Sequence, residues 1–302
     1  MSVQYGVAIG FFTFNRLDTT SAVFEEIRKV KPERLYLISD GAREDRAGEK
    51  EKVEEVRTYI ESHIDWPCQV KKNYADSNMG CKKRMASGIS WLLENEEMAI
   101  IIEDDVKPSE DFFPYMEEIL NRYKDDERVM LVSGFKLVTS YPVDESYTFS
   151  HFPMIWGWGT WRRAWAKYDI DIKEWETKKK DKSLRKRFNF WGYLKYSADF
   201  DSVFSHQKDT WDFQWAFTVL SNDGLAVIPG VNLIENLGFG RADATHTTGN
   251  TDQDFTTYPI PKPYKHPEKV EANSGYDKAY LKNGWGTAAI CKKVLRRLKL
   301  IK

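Results

Sequence analysis

The sequence predicts an α/β protein built on a mostly parallel sheet flanked by helices. Short apolar runs alternate with segments of helical periodicity through the first hundred residues, the pattern of strands covered on both faces by crossover helices. Polar residues gather at the carboxyl ends of those apolar runs, where open parallel sheets bind their ligands. With 302 residues the chain is long enough to bury a sizeable core.

Taken in order, the strands expected are Val7–Thr13, Leu35–Ser39, Gln69–Asn73 and Met98–Glu103. A helix capped by Asp18 or Thr19 runs to Lys29 and is stopped by Pro32. Glu49–Ser62 places Val53, Val56 and Ile60 on one helical face, and Cys81–Leu93 does the same with Met85, Ile89 and Leu92 or Leu93. Past Pro108 a helix is expected near Asp111–Tyr123 and a strand near Val129–Gly134, followed by an aromatic, glycine-punctuated stretch from Phe152 to Trp165. Lys178–Arg187, "KKKDKSLRKR", reads as a solvated loop or helix face. A strand pair is expected at Ala226–Pro229 and Val231–Glu235, and loops from Arg241 to Ser274. The closing "AAICKKVLRRLKLIK" sets Ile290, Val294, Leu298 and Ile301 at helical spacing among six cations. Such a helix either lies on an anionic membrane surface or packs on the domain.

Composition narrows the function classes. A net charge of −1 gives no global field directed at nucleic acid. Cys68, Cys81 and Cys291 show neither metal-ligand spacing nor a disulfide framework, so a reducing, cytoplasmic compartment is expected. The amino terminus lacks the basic and small-residue features of a signal peptide. No apolar run reaches the ~18 residues of a spanning helix.

The stretch with most chemistry is Ile100–Phe113, "IIIEDDVKPSEDFF". Glu103, Asp104 and Asp105 close an apolar strand, and three adjacent acids repel unless a cation compensates. A hard divalent ion such as Mg²⁺ or Mn²⁺ accepts carboxylate oxygens together with a substrate's phosphate oxygens, so one or two protein carboxylates suffice. The plain alternative is a solvated loop with an acid near a helix amino terminus. On the same sheet edge, Arg16 follows the first strand, placed to face a phosphate or a base. Asp40 ends the second, either to accept from a ribose or base or to serve turn chemistry with Gly41. In "NYADSNMGCKKR", Arg84 and the backbone amides opening a helix suit an anion. No Walker A loop or dinucleotide fingerprint is present, so phosphates would be held largely by metal.

These features together resemble a glycosyltransferase of the GT-A type, whose nucleotide-sugar lies across the strand ends over an Asp-x-Asp-like metal motif. "IEDDVKPSEDFF" is similar to the "VEDDLEVAPDFF" pattern of the inverting N-acetylglucosaminyltransferase I family. "MLVSGF", "WGWGTW", "TWDFQW" and "GFGRADATH" resemble later segments of that family in the same order, over roughly residues 5–250. The resemblance implies that Asp105 ligates Mn²⁺ or Mg²⁺, Asp104 meets the ribose, Glu103 the sugar hydroxyls and Asp40 the nucleoside. It implies that Asp212 is the general base on the acceptor hydroxyl, although the family has two adjacent acids where this chain has Asp212 and Phe213. Arg241 is expected on the diphosphate, His246 as a late metal or phosphate contact, and Trp156, Trp158 and Trp161 as an acceptor platform, with core packing as the alternative for the tryptophans.

The expected organisation is a nucleotide-sugar half (1–107), an acceptor and catalytic half (108–265) and an extension with the basic helix (266–302). The expected partners are a nucleotide-sugar, UDP-linked by preference, and a glycan, glycolipid or glycoprotein acceptor. Peripheral contact with a cytosolic membrane face is expected through the last helix. Two other readings compete. A sugar nucleotidyltransferase would carry a Gly-rich, Arg-containing loop where this chain has "FFTFNRLD". A non-catalytic nucleotide-sugar or glycan binder would need the acid triplet but not Asp212.

Overall fold

The structure, a computed structural model, describes residues 5–241 and 255–283. His246 and the helix expected over residues 288–302 lie outside the described residues. The amino-terminal half alternates β1 (Ala8–Thr13), α1 (Leu17–Val30), β2 (Arg34–Ser39), α2 (Glu49–Ser62), β3 (Gln69–Tyr74), α3 (Cys81–Asn95) and β4 (Met98–Glu103). Then follow β5 (Val106–Pro108), α4 (Phe112–Arg122), β6 (Val129–Ser133), β7 (Tyr147–Ser150), β8 (Trp158–Trp161) and the short helices α5 (Arg162–Trp165), α6 (Trp175–Lys179) and α7 (Lys182–Arg185). The chain continues through α8 (Phe190–Phe204), α9 (Asp212–Ser221), β9 (Leu225–Pro229), β10 (Ile234–Asn236) and α10 (Ser274–Asn283).

The expected α/β class is found. One eight-stranded sheet runs in the order β3-β2-β1-β4-β8-β6-β9-β7. Strands β3, β2, β1 and β4 pair in parallel, β8 enters antiparallel between β4 and β6, and β7 closes the far edge antiparallel to β9. The chain therefore steps outward from β1 through β2 to β3, then returns to place β4 on the other side of β1. That reversal is a topological switch point, and it opens a crevice beyond the carboxyl ends of β1 and β4. Central strands bury both faces, which is why β1 (AIGFFT) and β6 (VMLVS) are buried along their whole length. Edge strand β3 (QVKKNY) is mostly half-buried or exposed.

Several boundaries differ from expectation for local reasons. Helix α1 has Arg16 at its amino-terminal cap with no side-chain cap hydrogen bond, so neither Asp18 nor Thr19 caps it; the Thr19 hydroxyl donates back to the Arg16 carbonyl. The two strands expected as a pair near residue 230 do not pair with each other. β9 joins the main sheet, while β10 forms a two-stranded ribbon with β5, setting Asn236 opposite Val106. Asp212 is the first residue of α9 and Trp211 occupies the cap, so Asp212 is not spent on capping.

Glycines govern how the "WGWGTW" segment packs. A Cβ on Gly134 would lie 2.4 Å from the Phe112 ring, and one on Gly157, at φ +57°, would lie 2.4 Å from Ile234 Cδ1. Their absence allows the Gly134 amide to reach the Gly157 carbonyl at 2.7 Å with Phe112 buried beneath. A Cβ on Gly159 would lie 2.9 Å from both Leu120 and Met116, so bare backbone on β8 is what admits α4.

Candidate active site

The acid triplet occupies the crevice at the switch point. Glu103 ends β4, in register with Phe12 of β1. The next residue, Asp104, is 5% exposed, and its two oxygens accept from the Phe14 amide (3.2 Å) and from Arg16 Nη2 (3.2 Å). The same Arg16 nitrogen lies 3.2 Å from Asp105 Oδ2. Arg16 is thus a cation set between two carboxylates, and it holds the β1–α1 turn over the end of β4. Asp104 is the carboxylate that ties that turn to the end of β4, each of its oxygens accepting one hydrogen bond from it.

Asp105 is half-buried and differently placed. Its carbonyl accepts from the Leu237 amide at 2.7 Å, and Gly238 closes against its carboxylate: a Cβ there would lie 2.5 Å from Oδ2. The Gly238 amide donates in turn to Asn236 Oδ1 at 2.8 Å. The segment after β10 therefore shapes the Asp105 site, and Arg241 at its end reaches back to Asp18 in the first turn of α1 at 2.5 Å. In sequence, the Gly-rich "NLGFGR" is the only sign that Asn236 and Gly238 belong to this site.

Asp212 opens α9. The α8–α9 connection carries Asp209 alongside Gly80, whose added Cβ would lie 3.4 Å from Asp209 Oδ2. Asp212 accepts from the Thr210 hydroxyl. Burial pushes the Glu103 carboxyl up to about 8, and the charges of Asp105, Asp104 and Asp212 push it the same way against the pull of Arg16. Burial likewise raises Asp104, although Arg16 and the Phe14 amide oppose the rise. The Cys81 thiol at the start of α3 is raised by burial and by Glu103, Asp212, Asp209 and Asp40 in turn. Glu103, Asp104, Asp105 and Asp212 thus act on one another with Arg16 between two of them, a field that favours an added cation.

Four sequence expectations are corrected. Asp40 does not face a nucleoside: its oxygens accept from the amides of Gly41 (2.9 Å), Met79 (2.9 Å) and Gly80 (3.2 Å) and from Asn78 Nδ2 (3.1 Å). A carboxylate has about four acceptor sites, and these are used to tie the turn after β2 to the one before α3. Arg84 is buried and donates to the Asn73 carbonyl (2.6 Å) and Oδ1 (3.0 Å), so it fastens α3 to β3 and does not point at a phosphate. Trp158 and Trp161 are 0% and 2% exposed, because β8 is an interior strand covered on both faces. Neither ring is open to an acceptor. Trp158 stacks on Trp211 (5.7 Å, 19°), next to Asp212, and the Trp161 indole donates to the Leu120 carbonyl. Trp156 is half-buried and packs with Phe135, Phe239 and Phe255, and of the three tryptophans it alone keeps some exposure.

The donor chemistry fits a divalent cation shared with a substrate. Asp105 offers a hard oxygen beside several acids, one of its oxygens already paired with Arg16, which suits Mg²⁺ or Mn²⁺ bound mainly through phosphates. Among the described residues no group of three His, Cys, Asp or Glu side chains could hold a metal unaided.

No protein-family model matches the chain, and no curated protein matches it. Similar solved structures include the mannosyltransferase PcManGT from Pyrobaculum calidifontis in complex with GDP-Man and Mn²⁺, at 16% identity over 53% of this chain and 45% of that one, with a TM-score of 0.37. Glucosyl-3-phosphoglycerate synthase from Mycobacterium tuberculosis, in complex with Mn²⁺, UDP and phosphoglyceric acid, is 12% identical over 52% of this chain and 55% of that one, with a TM-score of 0.29. Mouse xyloside xylosyltransferase 1, apo form, is 11% identical over 72% of this chain and 81% of that one, with a TM-score of 0.36. The chain spans about half the length of the first two.

Proposed function

We propose that the protein is a metal-dependent glycosyltransferase, taking a sugar from a nucleotide-diphosphate donor, UDP-linked by preference, to a hydroxyl of a glycan, glycolipid or glycoprotein. The observation that carries this reading is the position of the carboxylates: Glu103 ends β4 and Asp104 and Asp105 follow it at the switch-point crevice, and Asp212, first residue of α9, is among the charges that raise Glu103. The resemblance of "IEDDVKPSEDFF" to a glycosyltransferase motif supports it. Asp212 separates this reading from a non-catalytic binder, which needs no base.

In this reading residues 1–107 hold the donor and residues 108–265 the acceptor, with Asp105, joined by His246, as the metal's protein ligand. When bound, the cation neutralises negative charge that grows on the departing diphosphate. Arg16 keeps the β1–α1 turn closed over Asp104 and supplies positive charge beside the phosphates, and Arg241 approaches them from the segment after Gly238. Glu103 meets a donor-sugar hydroxyl. Asp212 takes the acceptor's proton as its oxygen attacks the anomeric carbon from the face opposite the diphosphate. The new carbon–oxygen bond forms as the bond to phosphate breaks, and the configuration inverts.

Calorimetric titration of UDP with and without Mn²⁺, on wild type, Asp105→Ala and Asp212→Ala, tests the reading. Metal-dependent binding is expected in wild type and Asp212→Ala and is lost in Asp105→Ala. Turnover with the donor so identified is expected to fall ~10²–10⁴-fold in Asp212→Ala. Absence of nucleotide binding in the presence of metal would remove the proposal.

A further inference from the structure

The amino-terminal half of α8 presents a solvent-facing apolar surface. Phe190 is 62% exposed, Trp191 45% and Leu194 46%, and the Phe190 and Trp191 rings meet edge to face at 5.3 Å. The spacings i, i+4 and i, i+3 place Leu194 on one helical face with both. The opposite face of α8 is occupied: Gly192 lies against Leu281 of α10, and the Tyr196 and Tyr280 hydroxyls are 2.6 Å apart. The apolar face is therefore not turned outward for want of an inward one.

A basic segment borders it. Residues 178–187 carry seven Lys or Arg and one acid. The segment is fixed to α8 through Tyr193, whose hydroxyl donates to the Lys179 carbonyl at 3.0 Å and whose ring lies 5.5 Å from the Arg185 guanidinium. Lys180, Arg185 and Lys186 are exposed. Protruding Phe, Trp and Leu side chains beside clustered cations are the composition that enters the boundary between headgroups and acyl chains.

We propose that this face of α8 and the 178–187 segment dock on an anionic phospholipid surface. Charge complementarity selects that occupant. Described residues end at Asn283, two positions beyond the Leu281 that packs on α8, and the nineteen residues that follow hold six cations and no acid. A border of this charge has its complement in a negative surface and not in the equally basic sequence that follows. The apolar triplet enters the interface, the exposed Lys180, Arg185 and Lys186 meet lipid phosphates, and the α8–α9 hairpin that carries Asp212 faces the membrane-proximal side.

The test is sedimentation of the full chain with phosphatidylcholine vesicles that lack or contain phosphatidylglycerol. Binding to the anionic vesicles, weakened by salt, is expected, with little to neutral ones. Phe190→Ser/Trp191→Ser/Leu194→Ser is expected to lower partitioning at least about tenfold with circular dichroism unchanged. Should that variant fail to fold, Arg185→Glu/Lys186→Glu leaves the apolar face intact and is expected to lower it by a similar factor. Absence of binding to anionic vesicles overturns the proposal, as does binding that neither variant weakens. A light-scattering mass of a dimer that reverts to a monomer in the triple variant would instead assign the face to a second copy of this chain.

Discussion

At the residue scale, the site depends on space as much as on charge. Gly238 leaves the volume that the Asp105 carboxylate fills. Gly238→Ala is therefore expected to displace Asp105 and weaken metal-dependent nucleotide binding at least about tenfold, a loss of roughly 1.4 kcal/mol, while thermal stability changes little; calorimetry beside a melting curve separates the two effects. Lys136 shows a different kind of burial. It is 3% exposed, its ammonium donates to the Tyr141 (2.7 Å) and Gly230 (2.6 Å) carbonyls, and burial lowers it to about 8. As pH rises from about 8 to the unfolded value near 10.5, the folded chain has released this proton and the unfolded chain still holds it. The unfolded state then binds more protons, so this group's contribution to stability increases with pH across that window by up to roughly 3 kcal/mol. Comparing denaturant midpoints of wild type and Lys136→Met at pH 7 and pH 10 should show the difference moving in favour of wild type.

At the element scale, β8 and its flanking glycines decide how the carboxyl-terminal half is attached to the sheet. A methyl group on Gly134 meets the Phe112 ring at 2.4 Å and the Gly157 carbonyl at 2.9 Å. Gly134→Ala is expected to cost roughly 1–3 kcal/mol through overpacking, despite the lower backbone entropy of the unfolded chain that favours Ala. Adding Phe112→Leu should recover part of that loss, and a double-mutant cycle by urea denaturation reads the coupling. If the two effects simply add, Phe112 is not the obstacle. The same packing explains why "WGWGTW" is misread along the chain. Aromatic residues spaced by glycine fit either a sugar platform or an interior strand, and the choice depends on α4, which approaches from forty residues away in sequence.

At the scale of the whole molecule, acids from the end of β4 and from the start of α9 act on one another and repel. Ligands that neutralise them should stabilise the fold as a unit. UDP with Mn²⁺ at one hundred times the dissociation constant is expected to add about 2.7 kcal/mol and raise the melting temperature by a few degrees. The shift should be absent in Asp105→Ala; a shift of full size in that variant would place the cation elsewhere. Among the described residues no helix is long and apolar enough to cross a membrane, so the docking proposed for α8 is a surface contact.

The sequence by itself determined the amino-terminal β–α alternation, with Glu49–Ser62 and Met98–Glu103 matched at both ends. It also located the acid triplet at a strand's carboxyl end. Both are local facts: hydrophobic period is written in neighbouring residues, and a strand's end is visible where that period stops. What only the tertiary structure decided is which polar groups are already engaged. Asp40 and Arg84 read as ligand contacts because they sit at the right edge, yet their partners Met79, Gly80 and Asn73 are brought to them by turns and helix packing. The placement of Gly238 against Asp105 and the burial of Trp158 on an inserted antiparallel strand are likewise long-range. Periodicity reports which face of an element is apolar; what covers that face, and what fills a carboxylate's remaining acceptor sites, is fixed only when distant segments meet.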